Sequence, residues 1–482
     1  MLCPCTPAAP HVRQVRDLKI LIAINADIYV RNYLRTNALD ELLKNHDCDF
    51  IANSSISLRQ EVEQIPTFRG FYANDARTDG AHKLLFNLMM WKNRKKSRTF
   101  LFRWMRNSQW PSFSAEDTWY SRTNKFLRWA LSASLNPNGL LIPILANPLF
   151  FGSATWLLKR TLLINPTIEQ LVRGQRYDLI VFPSAAYDSP TIDLIRLGKK
   201  LNYPTLCLID NWDNLTSKTV FWIRPDFLGV WGEQSAQHAI EIHSFRPERV
   251  FAIGTPRFDV YLSQRPTTRN PSPYPFPYVL FAGSAMPFDE IRALQEIESA
   301  ITGPPGFDTA LKIVYRPHPW RQKHNSETTF DNSKLERTVI DNQISRARDS
   351  ESDGDSAGSF QPDLDYYPGL LRNALVVIGP LTTMLFEAAL CMRPVIALSY
   401  NDGLNAHTSR RYFKHFDGTE KIPGFTFCNQ MGDLSPLLSE QLTAPPIGEE
   451  ESLAATSFFL QRPVGSYGAE LLKLVSTAGN RQ

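Results

Sequence analysis

The feature that most constrains the fold is a series of short apolar segments, rich in β-branched residues, that alternate with segments of helical spacing. Strands buried on both faces of a parallel sheet have this continuous apolar pattern, and their alternation with helices is typical of α/β proteins. The first series comprises residues 18–24, 177–184, 203–210, 227–232 and 250–257, and the second comprises 278–284, 310–319, 337–341, 376–378, 394–398 and 425–429. The sequence therefore predicts an α/β fold with two doubly wound, Rossmann-like domains.

The boundary between the two series is a segment rich in proline and polar residues, 263–277, which we predict to be an interdomain linker. A chain of 482 residues is too long for one core, in agreement with two domains. We place the first domain at 1–262 and the second at 278–482. Residues 345–363 are polar and charged with almost no large apolar side chain, and we predict a flexible surface insertion there. Two such domains would face each other across a cleft.

Composition and cysteine usage indicate a globular protein of a reducing compartment. The chain is 43% hydrophobic and has a formal net charge of +4. Its six cysteines are scattered, and Cys207 and Cys391 lie in apolar segments, which favours buried thiols over a disulfide framework. The pair Cys3 and Cys5 has no second pair nearby, so the pattern for a zinc site is weak. The N-terminal segment lacks the apolar core of a secretion signal. We therefore predict a cytoplasmic protein, or one bound to a membrane from the cytoplasmic side.

A segment within the first domain, about 86–160, has a different character. Residues 91–110 interleave seven Lys and Arg residues with aromatic side chains, and residues 139–158 contain no charge and are followed by Lys159 and Arg160. The uncharged length would allow a transmembrane helix, but Pro143, Asn147 and Pro148 disfavour a straight one. We favour a membrane-facing insertion that binds an anionic membrane surface. Buried helices with a solvated basic face are an alternative, and binding of nucleic acid is disfavoured because no recognition fold accompanies the segment.

The first candidate for chemistry is the stretch VVIGPLTTMLFEAALCMRPVIAL, residues 376–398. It predicts a strand that stops at Gly379-Pro380, a helix that starts at Thr382 or Thr383, and a second strand. The free N–H groups and the positive dipole end of such a helix form an anion site, and ligands of parallel sheets bind beyond the carboxyl ends of the strands. The alternative is an ordinary crossover in which a threonine caps the helix.

Two further candidates follow strands of the second domain. The sequence RPHPWR places Arg316, His318 and Arg321 after a strand, and guanidinium groups pair well with a diphosphate. Surface arginines with one structural histidine are the alternative. Gly283-Ser284 ends the first strand of this domain, where small residues let the backbone approach a ligand.

The last candidate is IDNWDNLTSK, residues 209–218, which follows a buried strand of the first domain. It places Asp210, Asn211, Asp213 and Asn214 at the end of that strand. A carboxylate there could accept a proton from an acceptor hydroxyl, but paired carboxylates could also hold a metal, and Asp and Asn could simply form turns.

The order of these motifs resembles the GT-B superfamily of nucleotide-dependent transferases. The motifs NWDNLTSK, VLFAGSAM, IVYRPHPW and VVIGPLTTMLFEAALCMRPVIAL, with residues 225–259 between the first two, are most similar to the branch of CDP-glycerol glycerophosphotransferases and surface-polysaccharide glycosyltransferases. The resemblance covers about residues 177–400 and implies the GT-B architecture. It also implies that the second domain holds a nucleotide donor and the first holds an acceptor. His318 matches the second histidine of the family.

Two departures from the family pattern favour sugar transfer over glycerol-phosphate transfer. Asp213 stands where the glycerophosphotransferases carry a histidine, and Thr382 and Thr383 stand where they carry serines. We expect Asp213 to be the base for the acceptor, and His318, Arg316 and the Thr turn to stabilise the leaving diphosphate without a required metal. The resemblance further implies that Glu387 accepts bonds from ribose hydroxyls.

The expected activity is therefore a GT-B glycosyltransferase that moves a sugar from a nucleotide-sugar donor to a surface-glycan or lipid-linked acceptor, with no cofactor. The donor side comprises Gly283, Ser284, Arg316, Arg321, Thr382, Thr383 and Glu387, and the acceptor side comprises Asp27, Asn211 and Asn214. Three alternatives remain. They are a CDP-polyol phosphotransferase with His318 and Asp213 as its acid–base pair, a nucleotide-sugar epimerase of the same fold, and a membrane-associated binding protein without catalysis.

Overall fold

The fold is built on two wholly parallel sheets of seven and six strands. The computed structural model describes residues 17–107, 118–133, 137–259, 261, 272–286, 288–303, 307, 309–318, 335–343, 366–402 and 410–479. Arg321, Cys3, Cys5, the proposed insertion 345–363 and most of the linker lie outside these residues, so the predictions for them are not tested.

The first sheet has the strand order β3-β2-β1-β4-β5-β6-β7. Its strands are β1 (Lys19–Ile24), β2 (Asp47–Asn53), β3 (Phe68–Tyr72), β4 (Leu179–Ser184), β5 (Thr205–Ile209), β6 (Phe227–Val230) and β7 (Val250–Ala252). The chain order reverses between β1 and β4, which makes that gap the switch point where ligands of doubly wound sheets bind.

The second sheet has the order β10-β9-β8-β11-β12-β13, which repeats the same topology. Its strands are β8 (Tyr278–Ala282), β9 (Lys312–Arg316), β10 (Thr338–Ile340), β11 (Val377–Pro380), β12 (Val395–Leu398) and β13 (Phe425–Cys428). Its switch point lies between β8 and β11. Together the two sheets confirm the predicted fold class, two doubly wound domains of the GT-B type.

Helices cover the faces of both sheets. The α-helices of the described residues are α1 (Asp27–Tyr29), α2 (Asp40–Asn45), α3 (Arg59–Glu63), α4 (Ala76–Asn93), α5 (Arg98–Asn107), α6 (Trp119–Ala133), α7 (Pro137–Leu145), α8 (Pro148–Thr161), α9 (Pro166–Val172), α10 (Ser189–Leu201), α11 (Asn214–Ser217), α12 (Glu233–Glu241), α13 (Glu290–Thr302), α14 (Tyr366–Asn373), α15 (Thr383–Leu390), α16 (Leu434–Thr443), α17 (Glu449–Ser457) and α18 (Tyr467–Gly479). A π-helical turn spans Val30–Leu34, and short 3-10 turns span Pro247–Arg249, Pro256–Phe258, Arg410–Tyr412, Lys414–Phe416, Thr419–Lys421 and Met431–Asp433.

Every strand that the apolar pattern predicted is present, but β2 and β3 were not predicted. Strand β2 has the sequence DCDFIAN, in which two aspartates interrupt the apolar run, and β3 has the sequence FRGFY at the edge of the sheet. Asp49 lies buried in β2 because Tyr177 donates a hydrogen bond to it at 2.7 Å and Arg69 pairs with it at 3.2 Å. Partners distant in sequence thus make this strand possible.

The first domain also contains a helical insertion between β3 and β4 that includes α4 to α8. Its arrangement corrects one prediction: Phe100, Phe102 and Trp104 are buried, not placed at a membrane boundary. Residues 139–158 form parts of two helices, α7 and α8, with the break at Ala146–Asn147, in agreement with the effect expected of Asn147 and Pro148. In the part of the chain that the structure describes, no helix has the length and apolar character needed to span a membrane.

The two domains are packed together. Trp212, in the loop after β5, stacks on Phe386 of α15 with ring centroids 4.8 Å apart and an interplanar angle of 16°. The last helix, α18, crosses back and packs in the core of the first sheet through Leu471, Leu474 and Val475. The segment 278–482 therefore forms the whole second sheet, and its last helix packs in the first domain.

Candidate active site

The donor side of the site is the switch point between β8 and β11. The two strands approach closely at Gly379, where a Cβ atom would lie 2.2 Å from the carbonyl oxygen of Ala282, so only glycine fits. Beyond this contact the chains diverge into Gly283-Ser284 on one side and Leu381-Thr382 on the other. Four of the residues predicted to bind the donor, Gly283, Ser284, Thr382 and Thr383, thus follow the carboxyl ends of two adjacent strands, and we refer to this edge of the sheet as the crevice.

Helix α15 begins at this crevice. Thr382 is the N-cap residue, with φ −137° and ψ 155°, but its side chain makes no capping hydrogen bond. Both Thr382 and Thr383 are partly exposed. The first N–H groups of a helix have no partner within the helix, and the dipole makes this end positive. The helix starts where the sequence predicted, but the threonine hydroxyl is not used as a cap. Binding of an anion by the first N–H groups stays a prediction.

The other wall of the crevice contains a carboxylate that the sequence analysis did not include. Glu290, the first residue of α13, is buried; it accepts a hydrogen bond from the Ser284 backbone N–H at 3.1 Å and from the Tyr315 hydroxyl at 2.6 Å. A Cβ atom at Gly283 would lie 2.9 Å from the Glu290 carboxylate. The Ser284 N–H is thus already bound, so the α15 side of the crevice is the better phosphate site.

Arg316 ends β9, where its carbonyl accepts a hydrogen bond from the Gly283 N–H at 2.8 Å, but its side chain lies in a buried ion pair. It is 3% exposed, and its Nη1 lies 2.5 Å from the carboxylate of Asp341, which follows β10. Its guanidinium also donates to the Tyr367 hydroxyl and stacks over the same ring at 4.3 Å. Because its charge is already neutralised inside the protein, binding of the diphosphate by Arg316 would require this pair to open, and it stays a prediction. His318, two residues further, is only partly buried at the carboxyl edge of the sheet.

The acceptor side is the loop between β5 and α11, which contains Asp210 and Asp213. The Asp213 carboxylate accepts a hydrogen bond from the Ser217 hydroxyl at 2.7 Å and lies 3.5 Å from the Lys218 ammonium. No hydrogen bond to the Asp210 side chain is present within the described part of the chain, and only its backbone N–H is bound, to Ser184. The Asp213 carboxylate therefore already has a hydrogen-bond donor and an ammonium group beside it, whereas the Asp210 carboxylate accepts no hydrogen bond within the described residues.

The pKa values of the two carboxylates are shifted in opposite directions. Burial raises the pKa of Asp210, although Arg257, Lys218 and Arg31 oppose the shift. Burial would also raise the pKa of Asp213, but Lys218, His415 and the bond from Ser217 outweigh it, so the pKa of Asp213 is lowered. Asp213 is thus held ionised and weakly basic, whereas Asp210 is the more basic carboxylate.

The remaining acceptor-side residues have mainly structural contacts. The Asn211 side chain accepts a hydrogen bond from the Trp212 N–H at 3.0 Å, and Asn214 is fully buried at the start of α11. Asp27 accepts hydrogen bonds from the backbone N–H groups of Ser57 and Leu58 at 2.9 and 3.0 Å. Asp27 therefore holds the loop before α3, and Asn211 and Asn214 shape the Asp210–Asp213 loop.

Glu387 joins the donor and acceptor sides. It lies four residues after Thr383, on the same face of α15. Glu387 is only 1% exposed; its carboxylate pairs with Arg257, which follows β7, and accepts a bond from the Tyr261 hydroxyl at 2.6 Å. Its binding to ribose stays a prediction that requires this pair to open.

Arg257 and Arg31 were not predicted from the sequence to belong to the site. Arg31 is buried beside the same group, where burial and the nearby charge of Arg257 lower its pKa to about 10. Arg257 stands at the carboxyl end of a predicted strand, as Arg316 does, so the same criterion would have found it. Arg31 lies in a π-helical turn without a motif, and the sequence offered no signal for it.

The cluster formed by these groups contains three basic and three acidic side chains: Arg31, Lys218, Arg257, Asp210, Asp213 and Glu387. Such a cluster can transfer a proton at a carboxylate and stabilise a negative leaving group with guanidinium groups. Among the described residues, no three His, Cys, Asp or Glu side chains are close enough to hold a metal ion.

Comparison with known proteins gives similarity in overall structure only. The sequence matches no family model and no curated protein. The UDP-GlcNAc 2-epimerase of Methanocaldococcus jannaschii has a TM-score of 0.48 and 11% identity, covering 95% of this chain and 100% of its own. The glycotransferase of kitacinnamycin has a TM-score of 0.49 and 10% identity, with coverage of 96% and 99%. The calicheamicin glycosyltransferase CalG4 has a TM-score of 0.46 and 12% identity, with coverage of 97% and 99%. At these levels of identity the comparisons assign no role to any residue of the site.

Proposed function

We propose that this protein is a nucleotide-sugar transferase, in which α15 holds the donor diphosphate and the loop after β5 activates an acceptor hydroxyl. The observation that carries the proposal is the contact between Glu387 and Arg257. It brings the uncapped start of a helix from one domain next to two carboxylates of the other. An anion site opposite a base is what transfer from a nucleotide donor to a hydroxyl requires.

In the proposed reaction Asp210 removes the proton from the acceptor hydroxyl, because its raised pKa makes it the better base. Asp213, the base expected from the sequence, instead keeps Lys218 and Ser217 in place. The acceptor oxygen forms the new bond to the anomeric carbon, and the bond to the nucleoside diphosphate breaks. The departing diphosphate gains negative charge, which Thr382, Thr383, the first N–H groups of α15 and Arg257 would stabilise; His318 is a further proposed donor.

The substrates remain those implied by the sequence: a nucleotide-activated sugar and a surface-glycan or lipid-linked acceptor at the cytoplasmic face of a membrane. Product analysis separates this function from its alternatives. Release of a nucleoside diphosphate supports sugar transfer, whereas release of CMP from CDP-glycerol would mean phosphotransfer. A change in sugar configuration without an acceptor would mean epimerisation, and nucleotide binding without turnover of any donor would mean a binding protein.

The phosphate site is tested with Thr382→Val. Because the Thr382 side chain caps nothing, its replacement should change the free energy of unfolding by less than about 0.5 kcal/mol. A hydrogen bond to a charged phosphate is worth about 1.5–3 kcal/mol, so affinity for a nucleoside diphosphate should fall by about tenfold to a hundredfold. Affinity for the nucleoside alone should not change. Calorimetry with UDP, GDP, CDP and dTDP, after a thermal-shift screen of the four, measures both.

A matched control is Asn165→Ala. The Asn165 side chain caps α9 by accepting a hydrogen bond from the Thr167 N–H at 3.0 Å, in the first domain and away from the crevice. Its loss should cost about 0.5–2 kcal/mol of stability and leave nucleotide affinity unchanged. If Thr382→Val binds the preferred nucleoside diphosphate as tightly as the wild-type protein, α15 is not the phosphate site.

A further inference from the structure

The helical insertion exposes an unusual number of large apolar side chains. Within the described part of the chain sixteen large apolar side chains are exposed, and eleven of them lie between Trp119 and Leu163. Trp119 is 81% exposed and Leu149 is 83% exposed. Scattered apolar residues are normal on a protein surface, but a concentration of this kind marks an interaction site. We refer to the exposed side chains of α6, α7 and α8 as the apolar face.

Helix α8 shows most clearly that the apolar face lacks its partner. One side of α8, with Phe151, Thr155 and Leu158, packs inward in the insertion. The opposite side carries Leu149, Phe150, Trp156 and Leu157, all exposed. A helix that is apolar on all sides is normally buried on all sides. The outer side of α8 therefore needs an apolar environment that the chain itself does not supply.

The charge around the apolar face identifies that environment. Residues 80–167 contain 13 of the 52 Lys and Arg residues but 2 of the 48 Asp and Glu residues, so this segment carries +11 and the rest of the chain −7. From Thr118 to Thr167 there is no acidic residue, and the basic residues are Arg122, Lys125, Arg128, Lys159 and Arg160. All five are exposed. Two copies of this face would repel each other, which disfavours self-association.

We propose that the α6–α8 face is a docking surface for an anionic lipid bilayer. Its leucine and aromatic side chains would enter the boundary between head groups and acyl chains, and its basic residues would meet anionic head groups. Arg160 illustrates this arrangement, because its guanidinium lies over the Trp156 ring at 4.1 Å and its charge stays in water. The surface includes much of residues 139–158, which were expected at the membrane from the sequence, but not the aromatics of α5, which are buried.

The docking surface is connected to the acceptor side of the site. Helix α4 contacts α5, α7 and α8, and Ser97, just before α5, donates a hydrogen bond to the Thr216 carbonyl at 2.7 Å. Thr216 lies in α11, which begins directly after Asp213. A bilayer bound at the apolar face would therefore be held by the same insertion that contacts the acceptor side through α5. On the proposed function, which this step requires, the acceptor is anchored in that bilayer.

Vesicle co-sedimentation of the full-length protein tests the docking surface. The probes are vesicles of phosphatidylglycerol with phosphatidylcholine, and of phosphatidylcholine alone. We expect salt-sensitive binding to the anionic vesicles. Leu149→Ser/Trp156→Ser should weaken it at least tenfold, because each fully buried side chain of this size is worth about tenfold or more. Lys125→Gln/Arg128→Gln/Arg160→Gln should weaken it about fivefold per residue at low salt.

The control is Leu375→Ser/Val464→Ser, which removes two exposed apolar side chains outside this face. It should bind vesicles as the wild-type protein does. Absence of binding to anionic vesicles at any salt concentration would overturn the proposal. So would a wild-type dimer that Leu149→Ser/Trp156→Ser converts to a monomer, because the face would then join two copies. Vesicle binding needs no nucleotide, so its failure is distinct from a failure of Thr382→Val to weaken nucleotide binding.

Discussion

Glu387→Gln tests whether the Glu387–Arg257 pair holds the two domains together. The substitution keeps the size of the side chain and an acceptor for Tyr261, but removes the charge that compensates Arg257. Glu387 is 1% exposed and the Arg257 side chain 18% exposed, so water can solvate little of the remaining charge. Removal of one member of a buried pair costs about 3–5 kcal/mol. Arg31 adds to this cost, because without Glu387 two neighbouring guanidinium groups repel each other.

A double-mutant cycle isolates the pair. Arg257→Gln/Glu387→Gln removes both charges, so it should be less destabilised than the sum of the two single variants, with a coupling of about 0.5–3 kcal/mol. Urea unfolding followed by tryptophan fluorescence measures the shift in the midpoint and the slope. Effects that simply add in the double variant would refute the ion pair as a stabilising contact between the domains.

Nucleoside affinity in the same variants separates the two roles of Glu387. If its carboxylate binds ribose after the pair opens, Glu387→Gln should weaken nucleoside and nucleoside diphosphate alike. Arg257→Gln should then strengthen nucleoside binding, since it releases the carboxylate. If neither variant changes nucleoside affinity, the role of Glu387 is confined to the contact with Arg257.

Three further predictions concern charged residues of the two domains. Asp210→Asn should lower turnover by about a hundredfold or more. Asp213→Asn should keep activity and shift the acid limb of the pH–rate profile to lower pH, because the nearby charge of Asp213 helps to raise the pKa of Asp210; an unmoved limb would contradict this coupling. Arg316→Gln should cost about 3–5 kcal/mol of stability by removing the guanidinium charge that compensates the buried Asp341 carboxylate, while the folded fraction keeps wild-type affinity for nucleoside diphosphate in calorimetry. A selective loss of that affinity would restore Arg316 to the donor site.

The sheets could be predicted from the sequence because a buried parallel strand has a local signature. The end of strand β11 and the start of helix α15 could also be predicted from the sequence. Both depend on adjacent residues, namely Gly379-Pro380 and the two threonines that follow. The position of Arg316 could not be predicted in this way. Its chemistry fits phosphate as well as carboxylate, and the choice depends on Asp341, which is 25 residues away, directly after the neighbouring strand β10. The residue types in a motif determine which chemical groups a side chain can bind. The tertiary structure determines which of those groups lies within its reach.

Long-range packing also explains why the aromatics of residues 91–110 were expected at a membrane boundary although Phe100, Phe102 and Trp104 are buried. Residues 91–110 and 119–163 both combine aromatic and basic side chains, and their composition does not distinguish a helix that packs inward from one that faces outward. Phe100 of α5 is buried against Met90 of α4 and against Val220 and Ile242 of the first domain. The neighbouring Thr99 donates a hydrogen bond to the Tyr412 carbonyl of the second domain at 2.6 Å. Which apolar side of such a helix stays exposed, and could contact a membrane, depends on the elements that pack against its other sides.

The packed interface between the domains sets a limit on how a nucleotide can enter. Stacking of Trp212 on Phe386 is worth about 0.5–1.5 kcal/mol beyond its buried area, and a buried ion pair contributes little net stability because desolvation offsets the attraction. Opening the Glu387–Arg257 contact therefore costs only a few kcal/mol of free energy, provided that water solvates both charges once they separate. A nucleotide that binds with a micromolar dissociation constant supplies about 8 kcal/mol, enough to offset that cost. The closed contact between α15 and the Asp210–Asp213 loop is thus compatible with a substrate site, provided that the nucleotide replaces the contacts it breaks: phosphate oxygens for the charge of Arg257, and ribose hydroxyls for the carboxylate of Glu387.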